Sequence, residues 1–270
     1  MTSDLLIKGG IVHDGTGAPA RRADLLVSGQ HITEVGDAAG MTAKRTIDAS
    51  GQIVAPGFID IHTHSDMSLL LDGRGQSKVS QGVTTEVTGN CGFSPFPINP
   101  RHMQLHVDLL AGIGDDAMEI SWTDLEGYRN VAQRQGIAVN VAPLVGHGAL
   151  RIAAMGVEAR PARAQEMAQM QQLLERQLDQ GAFGLSTGLT YVPSRYAPIE
   201  ELVSLCETLA RRKRLYASHA RDKDLLGDDP RYGPLNELLH LGRSTGARVQ
   251  FSHAAINSPS LWGSAGAWTE

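Results

Sequence analysis

The 270-residue chain predicts an α/β fold: a parallel sheet, open or closed into a barrel, behind a small all-β portion. Two observations carry this. Through residue 55 the apolar runs are short, rich in β-formers and punctuated by Gly and Asp; after Pro56, strand-like runs alternate with helical ones. Residues 1–55 read LLIKG, GIVHDG, a loop marked by Gly15, Gly17 and Pro19, then ADLLVSG, HITEVG and TIDASGQIVAP, the pattern of a small β-sandwich or meander. From residue 56 to 270 the strand candidates are GFIDIHTH (57–64), GVTTEVTG (82–89), IAVNVAPL (137–144), AFGLSTGL (182–189), LYASHA (215–220) and ARVQFSHA (247–254). TDLEGYRNVAQRQ (123–135) and PARAQEMAQMQQLLERQLDQG (161–181) have helical apolar spacing, and the second starts near Pro161 and stops at Gly181, as helix ends prefer. PIEELVSLCETLARRK (198–213) and GPLNELLHLGRSTG (233–246) repeat that design. The stretch from Pro95 to Ser121 reads as a long irregular insertion, which in a barrel would lie near the site. Six strands are visible where a closed (β/α)8 barrel has eight over typically ~250 residues. The chain is therefore expected to be truncated before strands seven and eight.

Composition excludes several classes. At 41% hydrophobic residues there is ample material for one large core, and the net charge of -5 has no basic stripe for nucleic acid or an anionic membrane. Two cysteines, Cys91 and Cys206, do not make a disulfide framework and suit a reducing cytoplasm. MTSDLLIKGGIVHDG lacks the basic and long apolar regions of a signal peptide, and no segment approaches the roughly 20 apolar residues of a membrane span. The expectation is a soluble cytoplasmic protein acting on a small molecule, with no nucleic-acid or membrane partner and an oligomeric state left open.

The strongest chemical signal is Asp60-Ile61-His62-Thr63-His64. On a strand, alternate side chains share a face, so Asp60, His62 and His64 would point one way. Two imidazoles at the C-terminal end of the first strand can chelate one divalent ion, and barrel chemistry sits at that end. His219 closes the fifth strand and His253 the sixth. Taken singly, each would more often be a hydrogen-bonded core residue; four strand-terminal imidazoles at one end argue for metal. Cys91, after the second strand in TGNCGF, is either a small buried hydrophobe or, as a thiolate, a strong zinc ligand. Cys206 lies in a helical apolar pattern and reads as core. His147, in the loop after the third strand, either orients a neighbour or bonds its loop. His13, His31, His102, His106 and His240 have no such placement.

PGFIDIHTH, preceded by short strands ending in DASGQIVAPG, resembles the amidohydrolase superfamily. KVSQGVTTEVTGNCGFSPFP, VGHGALR, GAFGLSTGLTYVPSRYA, SHARD and VQFSHA look like the D-aminoacylase (N-acyl-D-amino-acid deacylase) family, over nearly the whole chain and in the family's order. The resemblance implies a TIM-type (β/α)8 barrel with a small β-sandwich built from both chain ends. It implies a tight zinc on Cys91, His219 and His253, and a weaker metal position on His62 and His64 with an aspartate from strand eight that is also the general base. It gives Tyr191 a place beside the substrate or the developing oxyanion. Two departures stand out: that aspartate and a downstream substrate-binding arginine are absent, and Ser252-His253-Ala254-Ala255 lacks the lysine that follows the strand-six histidine in the family.

The reaction so implied is zinc-dependent hydrolysis of a linear amide, N-acyl-D-amino acid to D-amino acid and carboxylate. The metal activates water and polarises the carbonyl, and Tyr191 stabilises the oxyanion. Arg221, just past His219, either holds a carboxylate or makes an ordinary loop salt bridge. His147 is included among the residues facing substrate. With its base missing, the 270-residue chain alone is expected to have little activity. One alternative is a cyclic-amide hydrolase of dihydroorotase or hydantoinase type, but those bridge two metals with a modified lysine on strand four, where AFGLSTGL has none. The other is a non-catalytic fragment that keeps the scaffold.

Overall fold

The structure is a computed structural model that describes residues 3–113, 119–221, 233–253 and 262–263. The chain divides into two compact units, Met1–Phe58 and Ile59–Glu270. In the first, β1 (Ser3–Val12), β2 (Arg21–Ser28), β3 (His31–Gly36), β4 (Ala43–Asp48) and β5 (Ile53–Val54) form one sheet in the order β3-β2-β1-β4, with β5 also on β1. β1 runs antiparallel to β2 and parallel to β4 and β5. Two small clusters, Leu6 with Leu26 and Ala38, and Val12 with Ala23 and Leu25, close its core.

In the second unit the elements run β6 (Phe58–Asp60), α1 (Ser68–Leu71), α2 (Gln76–Val79), β7 (Val83–Thr88), α3 (Met103–Ala111), α4 (Leu125–Gln135), β8 (Asn140–Gly146), α5 (His147–Met155), α6 (Ala164–Asp179), β9 (Gly184–Gly188), α7 (Ile199–Arg211), β10 (Leu215–His219), α8 (Gly233–Thr245) and β11 (Arg248–Phe251). The strands form a six-stranded sheet in sequence order, and the pairs from β7 to β11 are parallel. This is the strand–helix succession of a TIM-type barrel, with six of its strands described.

Local signals set the helix ends. Asp124 caps α4 by accepting from Gly127 N at 3.0 Å. The Glu166 carboxylate accepts from Arg163 N at 2.7 Å, in the first turn of α6. One core cluster joins the strands to the helices: Val145, Leu185 and Tyr216 meet Leu174, Leu178, Leu202, Leu205, Leu209 and Cys206, all essentially inaccessible to solvent. The insertion between Pro95 and Ser121 is more regular than its sequence suggests. Asn99 accepts from Arg101 N, a short 3-10 turn spans Pro100–His102, and α3 follows, burying His106, Leu109 and Leu110. A histidine on the buried face hides that helix from a purely apolar count. Residues 114–118 of the insertion lie outside the described residues. Among the described residues no helix is long and apolar enough to cross a membrane.

Tight spacing explains why β9 reads GLSTG. A Cβ at Gly184 would stand 2.0 Å from the Leu215 carbonyl oxygen on β10, a backbone atom that cannot move aside cheaply. Gly184→Ala is therefore expected to lower stability by about 1–3 kcal/mol or more, read from the denaturant midpoint. An unchanged midpoint would contradict that close approach.

Candidate metal centre

The chain leaves β6 at Asp60, earlier than a strand reading of GFIDIHTH implies. Asp60 Oδ1 accepts from His62 N at 3.1 Å, and its Oδ2 pairs with Lys78 Nζ at 2.5 Å. These contacts turn the backbone, so His62 and His64 lie beyond the strand and do not share a strand face with Asp60. Asn90 steadies the turn by donating to the carbonyls of Val87 and Thr63. The two imidazoles meet edge to face, with centroids 5.4 Å apart.

Cys91 follows β7 and is 5% exposed. Its φ of 54° is left-handed, a costly conformation for a residue with a side chain, and His253 shares it at 37°. Neighbours hold Cys91 there: Ser186 Oγ accepts from Gly92 N, and Gly92 O accepts from Gly148 N at 3.0 Å. Gly188 is small by necessity, because a Cβ would come within 2.0 Å of Cys91 O and 2.6 Å of the Tyr191 ring. His219 is the last residue of β10, and His253 lies two residues past β11.

These residues converge. Cys91 Sγ lies 3.4 Å from His62 Nε2 and 3.5 Å from His253 Nε2. Two groups share the cysteine, His62–His64–Cys91 and Cys91–His219–His253, with ligand atoms in each within 4.8 Å of one another. A tetrahedral zinc with Zn–S of about 2.3 Å and Zn–N of about 2.0–2.1 Å sets sulfur and nitrogen ligands about 3.6 Å apart. The sulfur–nitrogen distances match that spacing. Nδ1 of His62, His64 and His219 is buried with no hydrogen-bond partner, a cost of ~1–3 kcal/mol per group that coordination or a further partner removes. The donor set therefore fits zinc.

Protonation states agree. Burial, with repulsion from His253 and His64, pushes His62 down to about 4. Burial and the neighbouring histidines push His219 down to about 4, and burial and His253 lower His64. Neutral imidazoles offer lone pairs. Burial pushes the Cys91 thiol up to about 12, so it keeps its proton until a divalent cation displaces it.

Other expected residues fall differently. The Tyr191 ring packs 4.8 Å from His219 and 5.1 Å from Phe93. It borders a cavity of about 280 Å³ with His64, Cys91, Phe93, Ile113 and Val192. Arg221 has its guanidinium turned inward: Nε lies 3.2 Å from both Glu237 oxygens, and the other nitrogens donate to the carbonyls of Arg195 and Ala197. His147 opens α5 rather than sitting in a loop; it is fully buried, with both ring nitrogens on protein partners, so neither faces a substrate. His13, His31, His102, His106 and His240 lie outside both groups. Ala254 and Ala255, where the family's lysine would fall, are outside the described residues. Sequence reasoning missed Phe93, whose signal was its place two residues after Cys91. It also missed Glu201, a carboxylate at a buried position of an amphipathic helix.

Imidazoles and a thiol gathered at the C-terminal ends of barrel strands define a candidate metal centre in an α/β-barrel protein. A model of the amidohydrolase family matches residues 45–244. The chain is 42% identical over 252 residues to N-acyl-D-aspartate deacylase of Alcaligenes xylosoxydans xylosoxydans, which is 93% of this chain and 49% of that protein. It is 39% identical over 253 residues to D-aminoacylase of the same organism, 94% of this chain and 51% of that protein. The crystal structure of N-acyl-D-glutamate deacylase from Bordetella bronchiseptica, complexed with zinc and a phosphonate mimic of the tetrahedral intermediate, superposes with a TM-score of 0.87 at 38% identity, covering 99% of this chain and 54% of that one. The chain belongs to the amidohydrolase family. It spans about half the length of these relatives.

Proposed function

We propose that this chain is part of a zinc-dependent deacylase that hydrolyses the linear amide of an N-acyl-D-amino acid in the cytoplasm. The observation that carries the reading is the pair of ligand groups meeting at Cys91. Cys91, His219 and His253 would hold one zinc, and His62 and His64 would contribute to a second, weaker position. Bound there, zinc supplies Lewis acidity toward the scissile carbonyl and toward water. Tyr191, at the mouth of the cavity beside His219, donates its hydroxyl to the developing oxyanion. Phe93, Ile113 and Val192 line that cavity with apolar surface suited to the hydrocarbon part of a substrate. Neither ligand group contains a carboxylate, so the proton taken from water goes to a base outside them. Arg221 and His147 act as structural residues here, since their polar atoms are engaged. Two free buried cysteines suit a reducing compartment.

The test is turnover by the full-length protein of N-acyl-D- and N-acyl-L-amino acids and of a hydantoin. Release of the D-amino acid, lost to a chelator and restored by zinc, supports the reading. Tyr191→Phe should then lower kcat about 10²–10³-fold with zinc retained. Ring opening of the hydantoin without deacylation would favour the cyclic-amide alternative.

A further inference from the structure

A second polar cluster lies wholly inside the Ile59–Glu270 unit, outside both metal groups. His147 Nδ1 is 2.9 Å from Ser194 Oγ, and its Nε2 is 3.0 Å from Glu201 Oε1. Arg151 Nη1 donates to both Glu201 oxygens, at 2.6 and 2.7 Å, and Arg151 Nη2 donates to Arg160 O at 2.7 Å. His147 and Arg151 have no solvent exposure, Ser194 has 2% and Glu201 4%. Glu201, paired with a guanidinium, is ionised and can only accept. The His147 proton must then sit on Nε2, which leaves Nδ1 to accept from the Ser194 hydroxyl.

Serine, histidine and carboxylate in a row is the order of a nucleophile relay, but Ser194 is sealed from substrate and its oxygen can attack nothing. What it can do is hold the chain. Ser194 opens the 3-10 turn Ser194–Tyr196, three residues after Tyr191. Within that turn Arg195 N donates to Tyr191 O at 2.8 Å and Ala197 N to Ser194 O at 3.0 Å, while Tyr191 N donates to Gly188 O at 3.0 Å. Tyr191 is thus tied at one end to β9 and at the other to the buried imidazole.

We propose that His147 is a positioning residue: Glu201 sets its tautomer so that it pins Ser194, and through Ser194 it holds the Tyr191 segment beside His219 and Cys91. The proposal rests on the role given to Tyr191 above. It accounts for a buried histidine and arginine on α5 and a buried glutamate on α7, where apolar packing would otherwise serve. It also separates the effects of two loops. The Cys91 loop is held by Gly148 N and Ser186 Oγ, neither of which involves Ser194.

The experiment is a double-mutant cycle in the full-length, zinc-loaded protein, with Ser194→Ala, Tyr191→Phe and both together. Ser194→Ala is expected to lower kcat about 10–100-fold with zinc content unchanged. The double variant should be no slower than Tyr191→Phe within about twofold, because the serine acts through the tyrosine. Hydrogen exchange supplies a readout that does not depend on activity: amides of residues 190–196 should exchange faster in Ser194→Ala while those of α5 do not. Multiplicative losses of kcat, or zinc lost along with turnover, would overturn the proposal, as would unchanged exchange in that segment. Were the wild type to cleave no N-acyl amide, the deacylase reading would fail. The exchange result alone would then decide the pinning, accelerated rates supporting it and unchanged rates ending it.

Discussion

Replacing Cys91 with alanine is expected to strip zinc from the protein while leaving it folded. Cys91 is the one residue common to both ligand groups, so its loss removes the thiolate from each at once. Thiolate is the strongest donor in the set, and its loss leaves only two imidazoles in each group. Loss of a mere supporting partner costs about 10–100-fold in metal affinity; loss of the shared sulfur should exceed that range. The side chain removed is small, and the deleted sulfur leaves little cavity. Elemental analysis of the purified protein reads the result directly, with circular dichroism as the check on folding. About one zinc per wild-type chain and a large deficit in Cys91→Ala supports the shared-sulfur site. Equal zinc in both would place the ion on imidazoles alone, and a folded wild type free of zinc would move the non-catalytic reading to the front.

Glu201→Gln should produce the largest loss of stability. The substitution preserves shape, so neither cavity nor clash enters. It removes the only carboxylate that Arg151 meets among the described residues, leaving a fully buried guanidinium with carbonyl partners alone. Breaking a buried pair in this way costs about 3–5 kcal/mol. Acid should reveal the same interaction. Burial acts to raise the Glu201 carboxyl, but the contacts from His147 and Arg151 outweigh it and hold the group at about 2, below its ordinary 4.5. A depressed folded-state pKa means the stabilisation is fully present above 4.5 and fades as pH falls toward 2. The gap between wild type and Glu201→Gln, measured by urea unfolding, should therefore be wide at pH 7 and narrow as the solution is acidified below 4.5. A gap that is small at pH 7, or that does not depend on acid, would mean that Arg151 finds other compensation.

Much of this was legible in the amino-acid order. The alternation of strand and helix, the six strands and the long helices follow from spacing, and spacing survives folding because sheets and helices impose periods of two and 3.6. His62, His64, Cys91, His219 and His253 could be singled out because each stands at or just past a strand end. Other features were not legible. α3 was hidden by a buried histidine on its apolar face, and the early end of β6 depends on Asp60 finding Lys78 eighteen residues away. The inward turn of Arg221 depends on Glu237, and the burial of His147 on Ser194 and Glu201; none of these partners is near in sequence.

The sequence by itself determined the class of fold and the family, and it singled out the candidate metal ligands, because these rest on local periodicity and on long motifs in a set order. The tertiary structure alone decided that one cysteine serves two ligand groups, and that His147 looks into the core while Tyr191 looks into the cavity. The physical reason is distance: a hydrogen bond or a shared ligand is made between atoms about 3 Å apart, and which atoms come that close is set by how the strands and helices pack.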